Sequence, residues 1–225
     1  MRALRILPLL VLFATAPATA APILSVTGAG GDVSGSQLTL YGDALAGSFQ
    51  LNSGFINVSL GVSLSCTRCQ AEFFLIQNAI GPAANFVANL LAVTTVDTLA
   101  GGGFVNAPTP LFSNLSLGAG TYYLVMALTL NSISGAVWSA TQLPVVTAVP
   151  GAFALPSLTV LPGNYNVSTP ARSVFSPNLV NGIATSLQFS LSGDPATSGP
   201  PVQVPEPSSA LLLLTGLALF SRFRR

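Results

Sequence analysis

FINVSLGVSLS, residues 55–65, is the stretch that decides the fold of this chain. Apolar and small polar side chains alternate along it without interruption. One set is predicted to point to one side and comprises Ile56, Val58, Leu60, Val62 and Leu64; the set predicted to point to the other comprises Asn57, Ser59, Gly61, Ser63 and Ser65. Because successive side chains of a strand point to opposite faces, this two-residue period predicts a half-buried β-strand.

Further strands follow from the same kind of pattern. Ile183–Ser192 repeats the alternation, and Thr121–Leu130 (TYYLVMALTL) is apolar on both faces, as a central strand is. Shorter candidates are Ile23–Thr27, Gln37–Tyr41, Ser48–Leu51, Ala71–Gln77, Ala136–Ala140, Val145–Val149 and Phe153–Val160. Short strands at this spacing, separated by turn residues, predict a mostly β protein whose residues 21–192 form a single antiparallel β-sandwich domain.

Two segments depart from the strand pattern. Pro82–Val93 places apolar residues at helical spacing after a proline suited to a helix start, so a short helix is predicted there. From Gly193 the chain reads GDPATSGPPVQ, and this composition predicts a flexible linker over residues 193–203.

Charge is scarce in this chain, and most of its positive charge lies at the two ends. Only 6% of the 225 residues are charged, against roughly 25% in a typical soluble domain. Between Ala21 and Pro207 there are two positive and six negative charges, a net of −4. A nucleic-acid-binding protein needs clustered Lys and Arg for phosphate contacts. We therefore expect no nucleic-acid partner.

The N-terminus has the three parts of a cleavable signal peptide over residues 1–20. Arg2 and Arg5 are positive, an apolar stretch follows, and Ala18-Thr19-Ala20 forms an A-x-A cleavage site before Ala21. The apolar stretch is too short for a membrane span, which takes about 20 residues. We therefore expect export across the inner membrane.

The C-terminus, residues 204–225, also combines three parts. Val204-Pro205-Glu206-Pro207 is followed by an apolar run to Ser221 and then by a basic tip at Arg222, Arg224 and Arg225. As a helix the run would reach roughly 21 Å, short of a hydrocarbon core of about 30 Å. The arginines should hold their end in the cytoplasm. A short C-terminal hydrophobic helix that anchors an exported domain to the inner membrane is therefore predicted.

This tail closely resembles the PEP-CTERM sorting domain. The resemblance implies that Pro205, Glu206 and Pro207 are recognised by exosortase, a membrane-embedded cysteine transpeptidase, and that the helix and basic tip are removed. It also implies a Gram-negative bacterium that makes extracellular polysaccharide. The expected destination is therefore the cell surface or the extracellular matrix.

Catalytic constellations are scarce in this composition. The chain has no His, and all seven of its basic residues are Arg. The usual general base, the Ser-His, Cys-His and Ser-Lys pairs and the main zinc ligand are therefore missing. We expect no catalytic residue, no cofactor and no metal site. A hydrolase with two carboxylates is the alternative that survives, and its acids would come from Asp32, Asp43, Glu72, Asp97 and Asp194.

Cys66-Thr67-Arg68-Cys69 contains the only two cysteines of the chain. Haem attachment needs a His after the second Cys, where this chain has Gln70, and zinc needs further ligands that the sequence lacks. A structural disulfide between Cys66 and Cys69, formed in an oxidising compartment, is therefore predicted at the turn between two strands.

A second alternative is a carbohydrate-binding module of the exopolysaccharide matrix. Trp138, with Tyr122 and Tyr123, could stack on a sugar ring, although a lone Trp in a strand is more often part of the core. The leading hypothesis is a non-enzymatic exported protein whose surface of Ser, Thr, Asn and Gln suits a matrix setting.

Overall fold

The strand predicted at Phe55 is present and extends from Phe55 to Thr67. The computed structural model describes residues 20–29, 36–38, 42–101, 103–160, 164–180 and 182–196. Val58 and the alternate residues after it are buried as predicted, but Ile56 is 40% exposed and Phe55 is buried instead. Asn57 adopts the left-handed φ of 54° and the pairing register shifts beside it. This bulge reverses the facing of Ile56, whose predicted inward orientation is therefore wrong.

Strands dominate the described residues. In chain order they are β1 (Ala21–Gly28), β2 (Ser36–Leu38), β3 (Ala44–Leu51), β4 (Phe55–Thr67), β5 (Gln70–Gln77), β6 (Leu90–Asp97), β7 (Gly103–Leu117), β8 (Gly120–Leu128), β9 (Ala136–Trp138), β10 (Ala140–Thr141), β11 (Pro144–Ala148), β12 (Ala152–Val160), β13 (Phe175–Pro177), β14 (Leu179–Val180), β15 (Ile183–Ala184), β16 (Ser186–Leu187) and β17 (Phe189–Pro195). The helical turn α1 (Phe86–Asn89) and the 3₁₀ turn Pro170–Arg172 accompany them.

Two antiparallel sheets carry the architecture. The first sheet has the order β11-β1-β17-β4-β9-β2, with β7 paired to the other edge of β4. The second sheet has the order β13-β12-β3-β8-β5-β6. Two short ladders, β10-β16 and β14-β15, complete the pairing. The prediction of a mostly β protein with antiparallel sheets is confirmed.

The main core lies between these two sheets. Leu24, Leu60 and Leu191 from the first sheet and Phe49 and Leu124 from the second belong to one buried cluster. Ring contacts connect the sheets directly. The ring centroids of Phe49 and Phe189 are 5.8 Å apart, and those of Phe73 and Trp138 are 5.9 Å apart. The two sheets thus share one apolar layer, which is the kind of contact that a sandwich requires.

The outer faces of the two sheets differ. On the second sheet, Phe74, Ile76 and Val125 form another buried cluster, against which Phe86 and Phe175 from the covering segments pack. This cover explains why β8, predicted as a central strand over Thr121–Leu130, is apolar on both faces. The outer face of the first sheet carries small hydroxyl side chains instead.

Some predicted boundaries differ from the structure. The helix predicted over Pro82–Val93 is wrong beyond Asn89, because α1 has only four residues and β6 begins at Leu90. Ile183–Ser192 is divided among β15, β16 and β17 rather than forming one strand. The long strand β7 was not predicted. β17 continues to Pro195 and so includes three residues that the composition assigned to the linker.

Candidate functional site

The candidate carboxylates that the structure describes lie on several different elements. Asp32 lies outside the described residues, whereas Asp43 precedes β3 and Asp194 lies near the end of β17. Glu72 on β5 pairs with Thr95, and Asp97 pairs with Gln70. Glu72 and Asp97 are therefore diagonal neighbours on one face, a relation that typically separates Cα atoms by about 7–8 Å.

Asp97 is held in its ionised form. Its carboxylate accepts a hydrogen bond from the backbone N–H of Leu99 at 2.9 Å and one from Nε2 of Gln70 at 2.7 Å. These two bonds, the backbone one first, lower the pKa of Asp97 below its usual value. A glycosidase acid needs a raised pKa instead. Asp97 is therefore unsuited to be the proton donor of a carboxylate pair.

The two cysteines are joined by a disulfide and lie in the core. Their Cα atoms are 5.8 Å apart, and Cys66 and Cys69 are 1% and 0% exposed. The hydroxyl of Thr98 accepts a bond from the N–H of Cys69 at 3.1 Å and lies 3.4 Å from Sγ of Cys66. Thiol exchange requires access to sulfur, which this burial denies. The geometry suits a structural cross-link.

Two of the three aromatic candidates for sugar stacking are buried. Trp138 is 0% exposed, and its indole N–H donates to the carbonyl oxygen of Gln188 at 2.8 Å. Tyr122 is also fully buried, and its ring stacks on Phe49. Tyr123 packs against the outer cluster of the second sheet. The proposed sugar-stacking role is therefore wrong for Trp138 and Tyr122.

A shallow groove crosses the outer face of the first sheet over β1, β17, β4 and β7. Its volume is about 500 Å³. Hydroxyl side chains line it from Ser25, Thr27, Ser59, Ser63, Ser190 and Ser192. The lining holds no charged residue. We call this feature the hydroxyl groove. Most of its exposed lining surface is nevertheless apolar, and the hydroxyls of Thr27 and Ser63 donate to the carbonyl oxygen of Val145 and to Oγ of Ser139. The groove therefore offers a neutral ligand scattered hydroxyls on an apolar floor and no group for acid–base chemistry.

Gly61 shapes the wall of the hydroxyl groove. A Cβ atom on this residue would lie 3.1 Å from the carbonyl oxygen of Thr109 on β7. A side chain at residue 61 would therefore require the backbone of β7 to move away by a few tenths of an ångström. The alternation along β4 and β17 had already indicated a polar outward face. The opposite wall was missed because no strand was predicted over Pro108–Pro110.

The two ends of the β domain lie on neighbouring strands. Ala21, the residue after the predicted cleavage site, begins β1 and pairs with Gly193 of β17. β17 then ends at Pro195. The chain therefore enters and leaves the domain at the same end of the first sheet. Ala20 is described and exposed; the other terminal predictions, at Ala18, Val204, Pro205, Glu206, Pro207, Arg222, Arg224 and Arg225, lie outside the described residues.

Two kinds of feature are missing from the described part of the chain. Among the described residues, no helix has the length and apolar character that a membrane span requires. Within those ranges there is also no group of three or more His, Cys, Asp or Glu side chains that could hold a metal ion.

The comparison with protein families identifies the tail. Residues 203–225 match the family model of the PEP-CTERM protein-sorting motif, and this match covers the predicted tripeptide, apolar run and basic tip. A search of curated proteins gave no match. The resemblance predicted at Val204–Arg225 is confirmed: the chain carries a PEP-CTERM protein-sorting motif.

Proposed function

We propose that this chain is an exported, non-enzymatic protein of the bacterial cell surface or extracellular matrix, sorted through its tail and processed by exosortase. The observation that carries the proposal is the sorting-motif match over residues 203–225. Arg2 and Arg5 with the A-x-A site at Ala18–Ala20 supply the export signal at the other end.

The β domain suits such a role. Its first and last strands are neighbours, so a single tail leaving near Pro195 can hold the domain at the membrane before processing. The apolar run after Pro207 is short for a permanent anchor, which suits a segment that is removed. The lack of His and Lys supports a non-enzymatic domain.

The test is an intact-mass measurement of the protein purified from its host, with and without the transpeptidase gene. We expect the mass to fall by the segment beyond the motif only when the transpeptidase is present. The double variant P205A/P207A should keep its tail in both strains. P200A/P201A is the matched control, because it alters two linker prolines outside the matched region, and it should be processed normally. A tail that stays attached in both strains contradicts the proposal.

Contact with a neutral polysaccharide through the hydroxyl groove is a second candidate function. The supporting observation is an uncharged groove of about 500 Å³ whose side-chain hydroxyls come from three adjacent strands. Hydroxyl-to-hydroxyl hydrogen bonds need no ionised group and no aromatic platform.

Binding to the neutral polysaccharide of the host can be measured by affinity electrophoresis. S190R places a long side chain in the groove and should weaken binding by about tenfold or more. S53R adds the same charge at an exposed turn outside the groove and should bind as the unmodified protein does. Equal binding of the two variants, or none by the unmodified protein, would exclude this second function.

A further inference from the structure

Asp194 is the only charged residue in the seven strands of the first sheet. It lies on β17, where the alternation of buried and exposed residues places it on the outer face with Ser190 and Ser192. It is exposed, and it is the second-last residue of the strand. A single acid at the end of an uncharged sheet therefore raises the question of which cation it meets.

The carboxylate of Asp194 is oriented by the irregular end of β4. Nδ2 of Asn57 donates to Oδ2 of Asp194 at 2.9 Å, and Asn57 has the left-handed φ of 54°. The register between β17 and β4 shifts between Ser192 and Asp194. An added Cβ at Gly193 would lie only 2.9 Å from the carbonyl oxygen of Ile56, so the two strands approach closely here. Bulges re-aim side chains in this way, and a carboxylate can accept further hydrogen bonds beside the first.

The first residue of the predicted mature chain lies on the other side of β17. Ala21 begins β1 and pairs with Gly193, and Pro22 pairs with Ser192. Pro22 has no N–H, so its pair is the non-bonded one, and the pair of Ala21 and Gly193 is the bonded one in the alternation of an antiparallel ladder. The nitrogen of Ala21 therefore points at the peptide group that links Gly193 to Asp194.

Cleavage after Ala20 changes the charge of this nitrogen. In the precursor it is a neutral amide, whereas in the mature chain it is an α-amino group with an ordinary pKa of about 7.7–8.0. Ala20 is exposed, and continuation of the ladder places it opposite Asp194. Its removal therefore opens the space between the new ammonium and the carboxylate. Pro22 restricts the residue before it to extended backbone, so the new terminus keeps the direction that it has in β1.

The distance and the competing cations both favour contact. Opposite Cα atoms of an antiparallel pair are about 4.5–5.5 Å apart, so the ammonium lies near the range of about 4–6 Å in which an opposite charge acts strongly. The described ranges contain two arginines. Arg68 follows the far end of β4, and Arg172 donates to the carbonyl oxygen of Pro82 beside the second sheet. Neither is placed to pair with Asp194.

We propose that removal of the signal peptide creates an ion pair between the α-ammonium group of Ala21 and the carboxylate of Asp194. We call this pair the N-terminal clasp. It fastens β1 to the end of β17, the strand that leads into the sorting tail. The inference rests on the export signal of the proposed function. The precursor and the mature domain then differ by one charge contact at this end of the first sheet.

The N-terminal clasp predicts a pH dependence. A nearby carboxylate favours the ammonium form, so the pKa of the α-amino group lies above its ordinary value. The stability that the clasp contributes is therefore present below the ordinary pKa and is lost as the pH rises through the raised pKa. Strands β1, β4, β11 and β17 and the turns at 52–54 and 149–151 bring no charged side chain to this site besides Asp194.

The test uses the absence of Lys, which makes the α-amino group the only primary amine of the polypeptide. The protein is purified as its host makes it, intact mass gives its N-terminus, and the rate of acetylation is measured against pH. D194N should be acetylated about threefold faster at pH 6.5, because the neutral amine is the nucleophile and an exposed ion pair has about this strength. D194E should restore the slow rate. E72Q is the matched control: it removes a carboxylate from the second sheet and should leave the rate unchanged.

Thermal melts supply a second measurement. Acetylation removes the charge of the terminus, so it should lower the melting temperature of the unmodified sequence by about 1–2 °C at pH 6.5. It should have no effect on D194N. Equal acetylation rates for D194N and E72Q, or equal effects of acetylation on the melting of D194N and the unmodified sequence, overturn the clasp and leave the proposed export standing. A chain that does not begin at Ala21 overturns the clasp together with the predicted cleavage site.

Discussion

Replacing Gly47 by Ala tests whether Trp138 belongs to the core or to a ligand platform. Gly47 lies in β3, and an added Cβ would be 3.2 Å from Cη2 and 3.3 Å from Cζ2 of Trp138. The same Cβ would lie 3.5 Å from Cδ1 of Phe189. The indole is held in place by its bond to the carbonyl of Gln188, so it cannot move freely to relieve the contact.

The expected magnitude follows from this contact. Overpacking a core costs about 1–3 kcal/mol, and replacing a strand glycine by Ala returns about 0.5–1 kcal/mol of chain entropy. G47A should therefore lower the free energy of unfolding by about 1–2 kcal/mol net. W138F removes Cη2 and Cζ2 as well as the indole hydrogen bond, and it should cost about 2–3 kcal/mol.

The double variant G47A/W138F gives the decisive comparison. The methyl group added at position 47 enters space that the indole has vacated, so the two losses should be non-additive, with a coupling of about 1–2 kcal/mol in favour of the double variant. Guanidinium unfolding should be followed by circular dichroism, because W138F removes the only Trp of the chain. Losses that add to within about 0.5 kcal/mol, or a W138F variant as stable as the unmodified chain, would refute the core placement of Trp138.

Three further results are expected. Reducing the disulfide between Cys66 and Cys69 should lower the free energy of unfolding by about 2 kcal/mol, as measured by urea unfolding with and without reductant; two reactive thiols in the folded, unreduced protein would contradict this cross-link. Because the folded-state pKa of Asp97 is lowered, the stability that its carboxylate contributes is present above about pH 4 and is lost as the pH falls through the folded pKa. In D97N the melting temperature should therefore depend less on pH under acidic conditions. Identical pH profiles of D97N and the unmodified chain would argue against the two hydrogen bonds that the Asp97 carboxylate accepts. Asn57 has a φ of 54°, so in thermal melts N57G should stay within about 1 kcal/mol of the unmodified chain, whereas N57V should lose about 1–2 kcal/mol more than N57G; equal stability of N57G and N57V would rule out the bulge.

The strands that could be predicted from sequence are those in which the polarity of each side chain matches the burial of the sheet face on which it lies. β4 alternates because one face meets the core, and β8 is apolar throughout because both of its faces are covered. The bulge at Asn57 could not be predicted from the period, since one left-handed residue reverses the facing of Ile56 without changing the alternation.

Strands β7 and β6 were not predicted because they form through pairing with neighbouring strands, which the local sequence does not reveal. Pro108 and Pro110 argue against a strand, yet β7 contains both because it lies at an edge. Leu90 and Leu91 follow Phe86 at helical spacing, but the β-branched residues from Val93 to Val96 favour a strand, and pairing with β5 decides the outcome. The hydroxyl groove depends on β7 and could not be predicted before that strand was known.

The distribution of polarity distinguishes the two sheets of the β domain. A sheet with few charges can be covered by its own chain or can expose uncharged groups to water. The outer face of the second sheet is covered by the segments around Phe86 and Phe175. The first sheet instead exposes hydroxyl side chains across its outer face, and its edge strand β11 is uncharged and exposed. The uncharged outer face of the first sheet is therefore the surface on which the proposed contact with a neutral polysaccharide depends.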